Sequence, residues 1–252
     1  MSVYRTILRL AAVSAMNNYL EAPYPTLAGH LIFDSKIEPV EDWTKEHAFP
    51  CVVVYTDYDK DQWTKSGRTY ADRTITLTLE LLVVQRGSGN GVAGDPYKLE
   101  CPATDSEVET TLDILEAQVF RSLSASNEAA DAFNYLGVSY VNTVSRRGAS
   151  IEGGLRLAAR QITLEMKTVR ETYTTIPKEI EAFLAKLETA NDYKDRVKDF
   201  RKVLLSGANE TPVETVTHLL GYSLATAARL GAPEKGFILP PDIKYILSGG
   251  EP

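Results

Sequence analysis

The chain has 252 residues, 44% of them hydrophobic and 24% charged, with a formal net charge of −7. That length and balance suit one sizeable core with an appended subdomain, and the acidity excludes the broad basic footprint of a nucleic-acid binder. No run approaches the ~18 consecutive apolar residues of a membrane span, so no membrane partner is expected.

In "YRTILRLAAVSAM", Ile7, Leu8, Ala11, Ala12 and Ala15 recur at helical spacing and predict a helix over residues 4–20. Arg9 interrupts the apolar core that a signal peptide needs, so the segment reads as a mature amphipathic helix of a protein made in the cytoplasm. Pro23 and Pro25 then force an extended connection. "HLIFDS" is a short strand candidate, followed by the polar segment "KIEPVEDWTKEHAF". The strand at 50–56 is apolar on both faces and therefore central.

Beyond that strand come Asp57, Asp59 and Asp61, spaced like the first ligands of a calcium loop. An EF-hand needs Gly at the sixth position and Glu at the twelfth; here those are Gln62 and Arg68. Three readings stay open: a solvated acidic loop leaving a core strand, a loose divalent-ion cluster, or a two-metal nuclease site. The nuclease would draw on Asp72 and on Lys60 or Lys65 as well.

"RTITLTLELLVVQ" alternates cleanly: Ile75, Leu77, Leu79, Leu81 and Val83 on one face, Thr74, Thr76, Thr78 and Glu80 on the other. The glycine-rich excursion Gly87–Gly94 is not a phosphate loop, since no Gly-Lys-Ser/Thr follows. Residues 105–123 predict a helix with a Ser106/Glu109 capping box and a stripe of Val108, Leu112, Leu115 and Val119. A short helix, "EAADAFNYL", ends at Gly137. Two long strands follow, "VSYVNTVSRRG" and "GLRLAARQITLEMKTVRE", with Arg146 and Arg147 suited to gripping an acidic partner or flanking a hairpin turn.

Composition shifts after "YTTIP", placing an α+β domain at 1–175 and a helical extension at 176–252. "KEIEAFLAKLETANDYKDRVKDFRKVLLSG" is helical in pattern, its charges read as a solvated face with i, i+4 pairs. A further helix starts at Thr211, and the tail "GFILPPDIKYILSGGEP" is extended and apolar. Cys51 and Cys101 stand outside any zinc spacing and read first as buried free thiols, with a disulfide within or between subunits as the alternative. His30, His47 and His218 form no metal pair or nucleophile arrangement, so no enzyme, metal site or cofactor is expected.

Three stretches together resemble the tail terminator (tail completion) proteins of tailed bacteriophages. They are the opening helix with "PTLAGHLIFDSKIEPV", then "FPCVVVYTDYDKD" leading through Arg73 into "TITLTLELLVV", and "VSRRGASIEGGLRLAARQITLEM". The resemblance covers about residues 1–170 and implies an antiparallel sheet packed with helices, similar to tail-tube proteins. It further implies a homohexameric ring in the virion, at the tail–neck junction, that stops tube growth and presents a surface to the head-side connector. The implied partners are other copies of the chain, the tail tube protein, the connector and, in contractile tails, the sheath protein. Genome DNA passes through such a ring without specific binding.

On this reading the candidate ring, tube or channel contacts are Asp57, Asp59, Asp61, Arg146 and Arg147, with Phe237, Ile238 and Leu239 in the tail. A closing head-to-tail ring needs two different complementary patches, for which the hairpin at 138–169 and the segment "GFILPPDIKYIL" are one pairing. Three rival readings are a head–tail adaptor or stopper of the neck, the metal-dependent nuclease, and a generic cytoplasmic binding domain.

Overall fold

The computed structural model describes residues 2–36, 50–63, 70–83, 85–86, 99–100, 105–152, 155–190 and 194–206. Helix α1 spans Val3–Asn17, and strand β1 is Ile32–Asp34. Two 14-residue strands follow, β2 (Pro50–Trp63) and β3 (Tyr70–Val83). A two-stranded ribbon, β4 (Gln85–Arg86) with β5 (Leu99–Glu100), leads to α2 (Asp105–Leu123) and α3 (Glu128–Leu136). The long hairpin is β6 (Gly137–Glu152) with β7 (Leu155–Thr168), and the described chain closes with α4 (Lys178–Thr189) and α5 (Lys194–Leu204).

The chain is an α+β protein. Its main sheet has the order β1-β2-β3-β7-β6; the four long strands pair antiparallel, and β1 adds to β2 in parallel. The alternation of β3 sets the layering. Ile75, Leu77, Leu79, Leu81 and Val83 are buried under the helices, where they meet Val52 and Val54 of β2 and Ile162, Leu164 and Met166 of β7. Thr74 and Thr78, on the face expected to be polar, are buried as well. Both are short side chains in a central strand: Thr74 lies between Lys60 and Lys167, and Thr78 between Tyr55 and Thr163.

Helix α1 departs from the amphipathic expectation. From Leu10 to Asn17 every residue is buried, as befits a helix enclosed on all sides. It packs on β1 and β2 and on α3. It ends in a left-handed cap at Asn18, short of the expected residue 20. The α2 capping box also fails: Ser106 lies inside the helix, its carbonyl accepting from the Thr110 hydroxyl, while Glu109 turns to arginines of the sheet. Leu112, Leu115 and Val119 do form the buried stripe. Asn127 caps α3, its side chain accepting from the Ala130 N–H at 2.9 Å. Gly137 joins α3 directly to β6; a Cβ there would sit 3.0 Å from the Met166 sulfur and 3.3 Å from the Phe133 carbonyl oxygen.

The helical stretch after residue 177 is broken between α4 and α5. Ile180, Phe183, Leu184 and Leu187 of α4, with Val197 and Leu204 of α5, belong to the same core cluster as the sheet. The charges of α5 are not simply solvated on one face: Arg201 reaches α4, holding Glu181 at 2.8 Å and Glu188 at 2.5 Å. Phe183→Ala should cost about 3–5 kcal/mol. Followed by circular dichroism and by tryptophan fluorescence, its thermal unfolding should stay one coincident transition at a lower midpoint.

Candidate functional site

Asp57, Asp59 and Asp61 do not form a loop after a core strand: β2 continues through them to Trp63. Up to Thr56 the even-numbered residues of β2 face the helices. The register then shifts by one residue between Thr56 and Tyr58, a β-bulge that places Asp59 opposite Ile75 and Asp61 opposite Arg73. Two aspartates due to point away from the core are thereby turned under the helices, while Tyr58 and Lys60 take the other face. Asp57 is the extra residue; it is exposed and lies near Tyr55.

The bulge serves Arg73, which is only 1% exposed. Its Nε and Nη2 donate to the two Asp59 carboxylate oxygens at 2.9 and 2.7 Å, and its Nη1 donates to Glu171 at 3.5 Å. Asp61 stands 3.9 Å from Nε and itself accepts from Arg170 at 2.5 Å. Such a forked pair is the strongest hydrogen-bonded geometry open to arginine. Burial alone would raise the Asp59 carboxyl, but the Arg73 hydrogen bonds and charge override it and hold Asp59 below the ordinary carboxylate range. Glu171 also closes the N-terminus of α1: the Tyr4 N–H donates to it at 2.8 Å, and the Ser2 hydroxyl donates to the same oxygen.

A second arginine closes the opposite end of the apolar stripe. Arg160 of β7 donates to Glu109 at 2.8 Å, Asp113 at 2.5 Å and Glu116 at 2.9 Å, all on α2. Arg147 joins this group through Glu109 at 3.0 Å, and the Ser145 hydroxyl donates to Glu116 at 3.2 Å. Arg146 and Arg147 therefore lie within a strand and not at a hairpin turn. They separate by strand alternation: Arg147 faces the helices, while Arg146 is exposed beside Gln161 on the other face.

Sequence reading had marked the aspartates and the arginine pair but missed Glu171, Arg160 and the role of Arg73. A signal was available, since Arg73 and Arg160 share the strand parity of Ile75 and Ile162, the buried face. The acidic set proposed for two metals is dispersed. Asp59 is held by Arg73, Asp61 by Arg170 and Asp72 by Lys167 at 2.8 Å. Among the described residues no group of three or more His, Cys, Asp or Glu is placed to hold a metal ion. No helix among them is long and apolar enough to cross a membrane. Cys51 is a free buried thiol, pushed up to about 12 by burial. Cys101, the Gly87–Gly94 excursion and the tail residues Phe237, Ile238 and Leu239 lie outside the described residues.

Arg73→Met, which strands two acidic partners under the helices, should destabilise the fold by about 3–5 kcal/mol in urea titrations. Asp59→Asn tests the pair by pH. The folded carboxyl titrates below its ordinary value of 3.8, so its contribution is complete above that pH and lost as pH falls through the lower folded value. Wild type should exceed Asp59→Asn in stability at neutral pH, with the gap narrowing as pH falls below 3.8. Compared with protein-family models and with curated proteins, the sequence matches none.

Proposed function

We propose that the chain is a structural virion protein: the ring that terminates a bacteriophage tail and joins it to the head-side connector. The sequence resemblance motivates this reading, and one structural observation carries it. Among the described residues, the long antiparallel sheet carries its helices on one face and a largely polar set of side chains on the other. Near the start of β2, Cys51, Val53 and Leu82 are buried on that second face. Beyond them it presents Tyr58, Lys60, Thr76, Thr163, Glu165, Gln161, Asn142 and Arg146.

Its charges are mixed. Asp57, Glu80 and Glu165 stand against Lys60, Arg146 and Lys167, the last paired with Asp72. A wall of this kind, in a chain of net charge −7, suits a passage for DNA, because it offers no cationic stripe on which a moving polyanion would stall. Nothing in the reading needs catalysis, since the ion pairs described above hold the fold together and leave no free acid–base constellation among the described residues.

The deciding experiment is a nonsense mutation in the gene, with lysates imaged by electron microscopy. Filled heads beside separate tails of uncontrolled length are expected. Tails of normal length beside unjoined heads would move the protein to an adaptor or stopper position in the neck. Intact virions would discard the structural role altogether.

A further inference from the structure

A recess of about 490 Å³, within the size range of ligand pockets, is lined by residues from the end of α1, from β1 and from α5. Asn17 belongs to its lining, is 3% exposed, and has a side-chain Oδ1 with no hydrogen-bond partner among the described residues. Two cations also line it. Lys36 holds its Nζ 4.3 Å from the centre of the Phe33 ring, and Arg196 of α5 has a side chain 61% exposed. The acid of the lining, Asp34, is already shared: Arg9 donates to its Oδ1, and Arg196 lies 3.8 Å from its Oδ2. The lining is therefore locally cationic in a chain whose net charge is −7.

Apolar side chains flank those charges. Leu20 lines the recess and is 43% exposed. It closes a run of three left-handed residues, Asn18, Tyr19 and Leu20, at φ 49°, 57° and 66°. Residues with a Cβ rarely adopt that conformation in succession. The run buries Tyr19, whose ring centre lies 6.2 Å from that of Phe183, and leaves Leu20 in solvent. Tyr24, 38% exposed, is fixed beside it: its hydroxyl donates to the Leu20 carbonyl at 3.4 Å. The Tyr24 ring centre is 6.1 Å from that of His30, another residue of the lining.

We propose that this recess docks an acidic peptide segment of a partner protein, a carboxylate against Lys36 and Arg196 and a neighbouring apolar side chain on Leu20 and Tyr24. Charge complementarity selects the anion. The unpartnered Asn17 acceptor and the exposed Leu20 and Tyr24 select a peptide over a bare anion, since a peptide brings N–H donors and apolar side chains with its carboxylate. Nucleic acid fits less well. The Phe33 face under Lys36 is not open to a stacked base, and the net charge of the chain opposes a polyanion. The inference goes beyond the proposed tail role and does not depend on it.

The test titrates the full-length chain with four probes while NMR follows its amide resonances. They are acetyl-Leu-Glu-Leu-Glu-amide, its glutamine counterpart acetyl-Leu-Gln-Leu-Gln-amide, inorganic phosphate and a short oligothymidylate. Saturable shifts at Leu20, His30 and Asp34 are expected with the acidic peptide, and binding at least about tenfold weaker with the glutamine peptide. Two variants act on different contacts. Arg196→Glu places a like charge against the carboxylate and should weaken the acidic peptide by about tenfold or more. Leu20→Gly removes the apolar contact at a φ that glycine favours, so it should weaken the peptide without lowering the melting midpoint.

No saturable shift with the acidic peptide, or equal affinity for the two peptides, overturns the proposal. So does a shift pattern that phosphate alone reproduces, which would mark a simple anion site. Tighter binding of the oligothymidylate would make the recess a nucleic-acid site and overturn it too. Unchanged peptide affinity in either variant, with melting curves showing that it folds, overturns the docking geometry. None of these readouts involves tail assembly, so this proposal and the tail role fail separately.

Discussion

The guanidinium of Arg73 is the constraint around which the rest of this fold is arranged. A cation at 1% exposure is tolerable only where carboxylates meet it in good geometry, since its desolvation costs several kcal/mol. Those carboxylates come from distant parts of the chain: Asp59 and Asp61 from β2, and Glu171 from the segment after β7. Delivering the aspartates requires the bulge in β2. Delivering Glu171 ties the exit of the hairpin to the start of α1, because the same carboxylate takes the N–H of Tyr4, the second residue of that helix. One buried charge thus correlates the register of a strand pair, the seating of the first helix and the route by which the chain leaves the sheet.

Arg160 repeats the device at the other end of the stripe, against three carboxylates of α2. Between the two arginines lie the apolar rows of β3 and β7. An apolar stripe alone would hold helices loosely along the strand axis, since hydrophobic contact is non-directional. Hydrogen-bonded ion pairs at both ends supply direction. Arg201, gripping Glu181 and Glu188, does the same for α5 on α4. Each arginine draws its partners from another element, so these pairs set how elements sit on one another.

Among the described residues, the helices and their ion pairs take up one face of the sheet, and no strand pairs with the outer edge of β6. Here the engaged charges stabilise the interior, while exposed large apolar residues occur both on strands, at Tyr58, Val138, Tyr140 and Val141, and on helices and connections, at Leu20, Leu27, Ile114 and Val203.

Much of the architecture was legible from one-dimensional pattern. The period of two in β3 and β7, the helical stripe of α2, and the Gly137 junction were read correctly because burial of a single face repeats in sequence. Cys51 was read as a buried thiol, and Arg73 and Arg160 carried a readable warning: a cation on the buried parity needs carboxylates. What sequence could not supply was which carboxylates. The bulge at Asp57 reverses the parity of everything after it, so Asp59 and Asp61 were taken for a loop when they face the core. Glu171 lies 98 residues from Arg73, and the α1 cap is not in Ser2 but 167 residues from Tyr4. Local pattern therefore determined the strands, the helices and their buried faces, because those follow from side-chain periodicity. Tertiary structure alone decided the register and the ion-pair partners, because each depends on groups that only folding brings within hydrogen-bond distance.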